Sequence, residues 1–555
     1  MSAGNRLYQP TSLFPPGPQA SALQAANDLN RIIVDDNLQN QNPDPILFGR
    51  GGNPLSAANT LRGGDSVTGL VGVMTYTWAG NAASGNAYRV RPVGDLSDVT
   101  PGGGVPVFVA ENTRPTAPPA VGGSITVVGM NVLNYFNSFS GCTNGPTDCR
   151  GAENATEFTR QAAKTVAAIV ALNPTVLGVI EVENDGYGPA SAIADLVNRL
   201  NSATAPGTYA FIDVDEATGQ VDALGNDEIK VGIIYQPALV TPVGQTAALN
   251  TPDFITGGDS EPRNRAALAQ AFAVNASGAR FVVSVNHFKS KGSPCDAPDA
   301  GDGQGNCNIV RTNAANTLAA WLASDPTGIN DPDVLIIGDL NSYAKEDPIR
   351  ALETQGYENL VERFGGANAY SYVSNGQWGY LDYALASASL SLQVNGTAEW
   401  HINADEPSVL DYNTNFKSMG QISSLYAPDF YRTSDHDPVI VGLDLDGVPP
   451  TTTATVSGPN NPLCPADCYA GSATVTLTAT DDWPGVVEIA YQINGGDFQP
   501  YTGPFTFSSD GTYTVEFFAR DGAGNIESIQ TLVVKVSPFR LYFRLYLPSI
   551  YSTAP

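Results

Sequence analysis

The stretch Asp333-Val334-Leu335-Ile336-Ile337-Gly338-Asp339-Leu340-Asn341-Ser342 is an apolar run that begins after Asp331-Pro332 and stops at a glycine, a carboxylate and a carboxamide. A continuous apolar run of this kind reads as a buried strand. Side chains alternate along extended backbone, so Asp339 and Asn341 are expected on one side at the strand's end. In isolation, Gly338-Asp339-Leu340-Asn341 also fits an ordinary turn. The rest of the chain argues for groups displayed at a sheet rim, because other strands end in the same manner.

Strand 125–130 runs through Val127-Val128-Gly129-Met130 into Asn131, and strand 175–180 through Leu177-Gly178-Val179-Ile180 into Glu181. Strand 280–286, with Val282-Val283-Ser284-Val285-Asn286, delivers His287. Asp382 lies in Gly379-Tyr380-Leu381-Asp382-Tyr383, within strand 380–386. Asp435 and His436 precede Pro438-Val439-Ile440-Val441, in strand 438–445. Further strands are expected at 229–235 and 268–274. Helices are expected at 157–172, with Phe158, Ala162, Val166 and Ile169 on one face, at 190–200 and at 310–323. Strands loosely alternating with helices imply two packed sheets with helices outside. The chain holds three histidines, and two of them stand in this polar set.

On either side of this region the composition changes. Residues 1–113 show a short helix near 20–29, strand 31–34 and the segments 66–76 and 88–91, a pattern of short strands and turns that predicts a small β-barrel. Pro101-Gly102-Gly103-Gly104 and Arg114-Pro115-Thr116-Ala117-Pro118-Pro119 read as linker, and Val448-Pro449-Pro450 as a second one. Residues 455–537 read as all-β, with turns at Asn494-Gly495-Gly496 and Asp510-Gly511. The apolar and aromatic tail 538–555 reads as a pairing strand, with a cell-surface anchor as the alternative.

The 555 residues carry a formal net charge of -28, which excludes a broad basic surface for gripping nucleic acid. A phosphate polyanion would need bound cations and a few arginines to offset the repulsion. Hydrophobic residues at 42% and charged residues at 15% suit globular domains with good cores. Six cysteines fall in three local pairs, Cys142/Cys149, Cys295/Cys307 and Cys464/Cys468. Local spacing favours pairing between neighbours, and disulfides imply an oxidising compartment. No apolar stretch is long enough to span a bilayer. Together these predict a secreted protein whose leader is absent from this chain.

In order, Asn131, Glu181, Asn286-His287, Gly338-Asp339-Leu340-Asn341, Asp382 and Ser434-Asp435-His436-Asp437-Pro438 resemble the motif set of the endonuclease/exonuclease/phosphatase superfamily, to which deoxyribonuclease I belongs. Asn286-His287-Phe288-Lys289-Ser290-Lys291-Gly292 and Tyr343-Ala344-Lys345-Glu346-Asp347-Pro348 are similar to its secreted bacterial endonuclease branch. The resemblance covers about 124–446 and implies an α+β fold, a four-layer αββα sandwich. Residues 1–113 resemble the OB-fold-like module, and 455–537 the immunoglobulin-like domain, of such secreted enzymes.

The resemblance also implies roles. Glu181 and Asn131 bind a Mg2+ ion, for which Mn2+ or Ca2+ could substitute, while Asp435 and Asp339 hold a second ion or orient the water. Asp339 and Asn341 hold the attacking water. His436, aligned by Asp382, is base or phosphate contact. His287 protonates the leaving oxygen or hydrogen-bonds the phosphate. Arg265 and Asn286 contact the phosphate, and Lys289 and Lys291 are within reach of flanking phosphates. Glu183 rivals Glu181, since two positions apart on a strand both face one side. Asp227 and Glu228 are the candidate acidic partners of His287. Gly301-Asp302-Gly303-Gln304-Gly305-Asn306 reads as a tethered surface loop in preference to a calcium loop.

The implied activity is hydrolysis of extracellular DNA, with RNA admissible, by a monomer without a stable protein partner. The competing readings are another phosphoesterase of the superfamily, such as a sphingomyelinase or a phosphatase, and a cell-surface DNA-binding or adhesion protein with an inactive enzyme domain.

Overall fold

A computed structural model describes residues 1–36, 38, 40–78, 82–93, 105–140, 149–460 and 468–538. Cys142, Cys464, the linker glycines 102–104 and nearly all of the tail 538–555 lie outside the described residues. The chain divides into two compact units, Met1–Leu445 and Asp446–Pro555. Among the described residues, no helix is long and apolar enough to cross a membrane.

The larger unit is mixed α/β and is built on two six-stranded sheets. One runs in the spatial order Glu358–Asn359, Asp382–Ala386, Val334–Asp339, Arg280–His287, Ala267–Val274, Val240–Leu249. The other runs Val394–Glu399, Val439–Leu443, Ile125–Tyr135, Val176–Glu183, Ile229–Tyr235, Ala210–Phe211. Each sheet has one parallel pair at its centre: Arg280–His287 with Val334–Asp339, and Ile125–Tyr135 with Val176–Glu183. The four central strands carry Asn131, Glu181, His287 and Asp339 at or near their C-terminal ends.

The sheets pack face to face through their apolar alternation. Leu335, Ile336 and Ile337 are fully buried, and each such side chain contributes about 1.5–3 kcal/mol. Two glycines let the layers approach. A Cβ on Gly178 would fall 2.6 Å from Ile337 and 2.8 Å from Val285, and one on Gly129 would meet Ile337 at 3.5 Å. Outside lie the helices. Asn308–Ala323 packs Ala314, Ala315 and Leu318 into the core of the first sheet. Ala155–Leu172 and Ala192–Ala203 cover the outer face of the second. The first of these starts where the Asn154 side chain accepts from the Thr156 and Glu157 amides. The layers run helix, sheet, sheet, helix.

Residues before 113 contribute the helices Pro10–Leu13 and Pro18–Leu29 and a three-stranded sheet of Ile33–Val34, Ala87–Pro92 and Gly72–Thr77. No closed barrel is present among the described residues. Leu7–Tyr8 instead adds, in parallel, to the hairpin Tyr372–Ser374/Gln377–Gly379. Asp405 is the main tie. It is buried, and its carboxylate receives Arg6, Arg62, Asn112, the Tyr370 hydroxyl and the Trp378 indole N–H. Glu406 beside it receives Thr60, Arg62 and Arg114. Alternation of short strands could not announce this, because the partners of residues 6 to 114 lie 292 to 399 positions away.

The smaller unit has sheets of three and five strands, Thr451–Ser457/Ala473–Thr480/Phe505–Phe507 and Cys468–Ala470/Gln530–Ser537/Gly511–Asp521/Val486–Ile493/Gln499–Pro500. Val475, Leu477, Val515, Phe517 and Val534 fill the space between them. Cys295 and Cys307 form a disulfide. Cys149 and Cys468 are also disulfide-bonded.

Candidate active site

A cleft of about 550 Å³ opens at the strand-end rim of the larger unit. Glu181, Arg265, His287, Asp339, Asn341 and His436 all line it. Three local departures from regular strand aim these groups.

The first is at Glu181. The register of Val176–Glu183 slips between Val179 and Val182 against one neighbour, and Ile125–Tyr135 slips between Asn131 and Tyr135 against the other. Glu181 takes φ +68, a left-handed value that a regular strand lacks. A bulge of this kind re-aims a side chain. Glu181 Oε1 accepts from Asn131 Nδ2 at 3.0 Å and Oε2 from the Asn134 amide at 3.1 Å. Glu183, expected on the same side, is turned away by the bulge. It is 2% exposed and accepts from the Asn137 and Ser138 amides.

The second is at Gly338, with φ +130, where a Cβ would lie 2.0 Å from the Asn286 carbonyl oxygen. Only glycine fits between the parallel strands there. The third is Asn341. The strand ends at Asp339, and Asn341 is left-handed with φ 49. Its amide donates to Asp339 Oδ1 at 2.9 Å, and its Nδ2 donates to the Phe288 carbonyl at 3.0 Å. Asp339 and Asn341 do face one cleft, but through this turn and not through strand alternation.

Asp382 stands opposite Asp339 across an antiparallel pair. Its Oδ2 accepts from Ser371 Oγ at 2.6 Å and lies 2.7 Å from His436 Nδ1. Burial opposes charge on His436, yet Asp382, Asp435 and Asp339 together hold its proton affinity well above the ordinary value. Burial pushes the Asp339 carboxyl up to about 8; Asp382 and Glu181 add to this, while His436 opposes it. Burial also raises Glu181, with Asp435 adding.

His287 is the reverse case. Its Nε2 lies 3.7 Å from Asp339 and 4.0 Å from Glu181. Burial first, then the charges of Arg265, His436, Arg150 and Lys289, lower its proton affinity well below the ordinary value. Its Nδ1 is buried without a hydrogen-bond partner. The acids proposed to serve it are engaged elsewhere: Asp227 pairs with Arg265 at 3.2 Å and Glu228 with Arg150 at 2.9 Å.

Several other sequence expectations change. Asn286 does not line the cleft. Its Nδ2 donates to Ser284 and the Ile337 carbonyl in the interior, because it faces the side of the strand opposite His287. Lys291, though at the cleft wall, donates to the Gln304 carbonyl at 2.6 Å and to Glu346. Lys289 is 8% exposed and donates to Ser290 and Ser293. Neither lysine is arranged to reach a flanking phosphate. Asp302, in the Gly-rich loop, accepts from the Gln304 amide and side chain, as suits a tethered loop. Asp435 is half-buried and accepts from Ser434 Oγ at 3.4 Å.

Sequence reasoning missed the supports. The Tyr372 ring lies 4.5 Å from the His436 ring. Asn403, fully buried, accepts from the Thr433 and Ser434 amides and donates to the His436 carbonyl at 2.6 Å. Asp437 accepts from the Asn403 and Ala404 amides. Asp437 stands in the motif Ser434–Pro438, where the sequence assigns it no role of its own; no local pattern marks Tyr372 or Asn403, which long-range folding alone assigns.

The donor set fits a hard divalent cation. One ligand atom each from Asp339, Asp382 and His436 lie within 4.8 Å of one another, but Asp382 is taken up by His436 Nδ1, which leaves Asp339 and Glu181 as the buried carboxylates at the cleft. Burial and neighbouring negative charge raise the proton affinity of both, which a dication would relieve.

No curated protein is similar enough in sequence to count as a match. Among solved structures, the human nocturnin catalytic domain is 16% identical, with TM-score 0.37, over 58% of this chain and 94% of its own. A Bacteroides thetaiotaomicron mannosyl-6-phosphatase is also 16% identical, with TM-score 0.37, over 58% of this chain and 99% of its own. The D. rerio TDP2 complexed with single strand DNA product is 12% identical, with TM-score 0.35, over 57% and 97%. The sequence profile of the Endonuclease/Exonuclease/phosphatase family matches residues 135–436, more than half of the chain, and spans every cleft group from Glu181 to His436. This chain belongs to that family.

Proposed function

We propose that this chain is a secreted endonuclease that hydrolyses phosphodiester bonds of DNA, with RNA as a second admissible substrate, and that it uses Mg2+. The family's members hydrolyse phosphoester bonds and are generally dependent on divalent metals. The observation that carries the reading is that Glu181, Asp339, Arg265, His287 and His436 line one cleft, with His287 Nε2 3.7 Å from Asp339 and His436 Nδ1 2.7 Å from Asp382.

Glu181, braced by Asn131, and Asp339 with Asp435 would hold the metal. When bound, it neutralises charge on the phosphate and favours a hydroxide nucleophile. Asp339 takes the proton of the attacking water, which the Asn341 side holds in place. His436, kept protonated by Asp382, donates toward the leaving oxygen through the ring nitrogen that Asp382 does not occupy. His287, neutral, hydrogen-bonds a phosphate oxygen, and Arg265 offsets the phosphate charge.

The Cys295–Cys307 disulfide supports an oxidising destination. The two-sheet build of the smaller unit supports an immunoglobulin-like accessory domain.

Plasmid nicking with Mg2+ or Mn2+ tests this. Chelator is expected to abolish nicking, and Glu181→Ala or His287→Ala to abolish it with metal present. Hydrolysis of phosphomonoesters with no nicking would overturn the reading.

A further inference from the structure

The basic groups lining the cleft differ in what already holds them. His287 and His436 belong to the chemistry, and Lys291 is tied to Glu346 and the Gln304 carbonyl. Arg265 and Arg150 remain. They are more than a hundred positions apart, yet consecutive residues hold them: Asp227 meets Arg265 Nε at 3.2 Å, and Glu228 meets Arg150 Nη2 at 2.9 Å.

The bracket is itself fixed. Asn184 Nδ2 donates to the Gly225 and Asp227 carbonyls at 2.8 and 3.0 Å, and the Asn184 amide donates to the Glu228 carbonyl at 2.9 Å. The Ile229 amide donates to Asp227 Oδ1. Consecutive carboxylates on an anchored dipeptide thus pair with two guanidinium groups that both line the cleft. They differ in depth. The Arg265 side chain is 13% exposed and the Arg150 side chain 42%. Arg265 therefore lies near the reacting centre and Arg150 toward the mouth. Each carboxylate meets one nitrogen, and a guanidinium carries about five N–H donors, so both can also grip an anion. The charge of Arg150 reaches the chemistry, since it contributes to the lowered proton affinity of His287.

We propose that Arg150 forms a subsite for the phosphate adjacent to the scissile one, so that the cleft selects a polynucleotide over a substrate with a single phosphate. This rests on the endonuclease reading and deepens it. With a net charge of -28, the protein repels a polyanion at long range. A cation held rigidly at the mouth is where a second phosphate gains most.

The test compares Arg150→Ala and Arg150→Lys with wild type, with Mg2+, on two substrates. One is thymidine 5′-(p-nitrophenyl phosphate), with one diester; the other is a single-stranded oligodeoxynucleotide. Arg150→Ala is expected to raise KM for the oligonucleotide about tenfold, the low end for a charge-assisted hydrogen bond. On the single diester the loss in kcat/KM should be several-fold smaller, since Arg150 acts on that substrate only through its charge on His287. The slope of log kcat/KM against log salt should become shallower by about 0.7 on the oligonucleotide. Arg150→Lys keeps the charge and should restore the slope; it carries the comparison if the alanine variant melts early. Equal losses on both substrates, or an unchanged oligonucleotide KM and salt slope, would overturn the subsite alone. Wild type that hydrolyses the single diester but cuts no polynucleotide would overturn the endonuclease reading and the subsite together.

Discussion

The two walls of the cleft hold the same side chain in opposite states. On one wall His436 stands among Asp382, Asp435 and Asp339 and keeps its proton. On the other, burial first and then the charges of Arg265, His436, Arg150 and Lys289 lower the proton affinity of His287. Burial opposes charge on both rings. The acids around His436 reverse that effect and the cations around His287 reinforce it, so the two rings are driven apart across a common carboxylate, Asp339. Two titratable groups driven apart by their surroundings are the usual sign of divided acid and base duties.

The largest effect expected is from removing what both walls share. Asp339→Asn and His436→Ala should each lower kcat about 10²–10⁴-fold with the fold intact, read by steady-state nicking beside a melting curve. Losses below tenfold would show that the tuned pair is not the engine.

Asp382→Asn comes next. It removes the acid on His436 Nδ1, so the NMR titration of His436 should move down and kcat should fall about a hundredfold. His287 should move the opposite way, because the charge of His436 is among those that lower it. If both histidines move down, the assignment of the two walls is wrong.

Arg265→Gln is expected to act on the other wall, raising the proton affinity of His287 and lowering kcat/KM about tenfold. The same titration reads it.

A smaller effect concerns stability without metal. Folded Asp339 ionises near 8, against an ordinary 3.8. Between those values the folded chain binds a proton that the unfolded chain has released. Stability in chelator should therefore fall as pH rises through that window. The raised His436 acts in the same sense, and the lowered His287 in the opposite sense below its ordinary value. Asp339→Asn should flatten the curve and melt above wild type at pH 8. A wild-type melting temperature that climbs from pH 5 to 8 in chelator would contradict the assignment.

The smallest effect on catalysis is expected from Glu183→Gln, whose carboxylate accepts from the Asn137 and Ser138 amides and does not line the cleft. It should cost about 1–3 kcal/mol of stability and leave kcat within a few-fold of wild type, where Glu181→Gln removes it.

The central strands were legible because apolar runs report burial directly. Ile229–Tyr235 falls where its pattern places it, and Glu181, His287, Asp339 and His436 meet as strand-end groups. What stayed hidden depends on departures from period. The bulge that parts Glu181 from Glu183, the left-handed Asn341 and the inward Asn286 leave no trace in hydrophobic alternation. Val240–Leu249, an edge strand with a mixed exposure pattern, offered none to read. Tyr372, Asn403 and Arg150 act through partners that only the closed chain brings near.

Asp405 has a practical consequence. A fragment begun at the linker after residue 113 would strip this carboxylate of Arg6, Arg62 and Asn112, and Glu406 of Arg62. It would also unpair Leu7–Tyr8 from the hairpin whose Tyr372 leans on His436. The opening hundred residues are thus a buttress of the hairpin beside His436. They cannot be trimmed away or exchanged for another module as a bead on a string could.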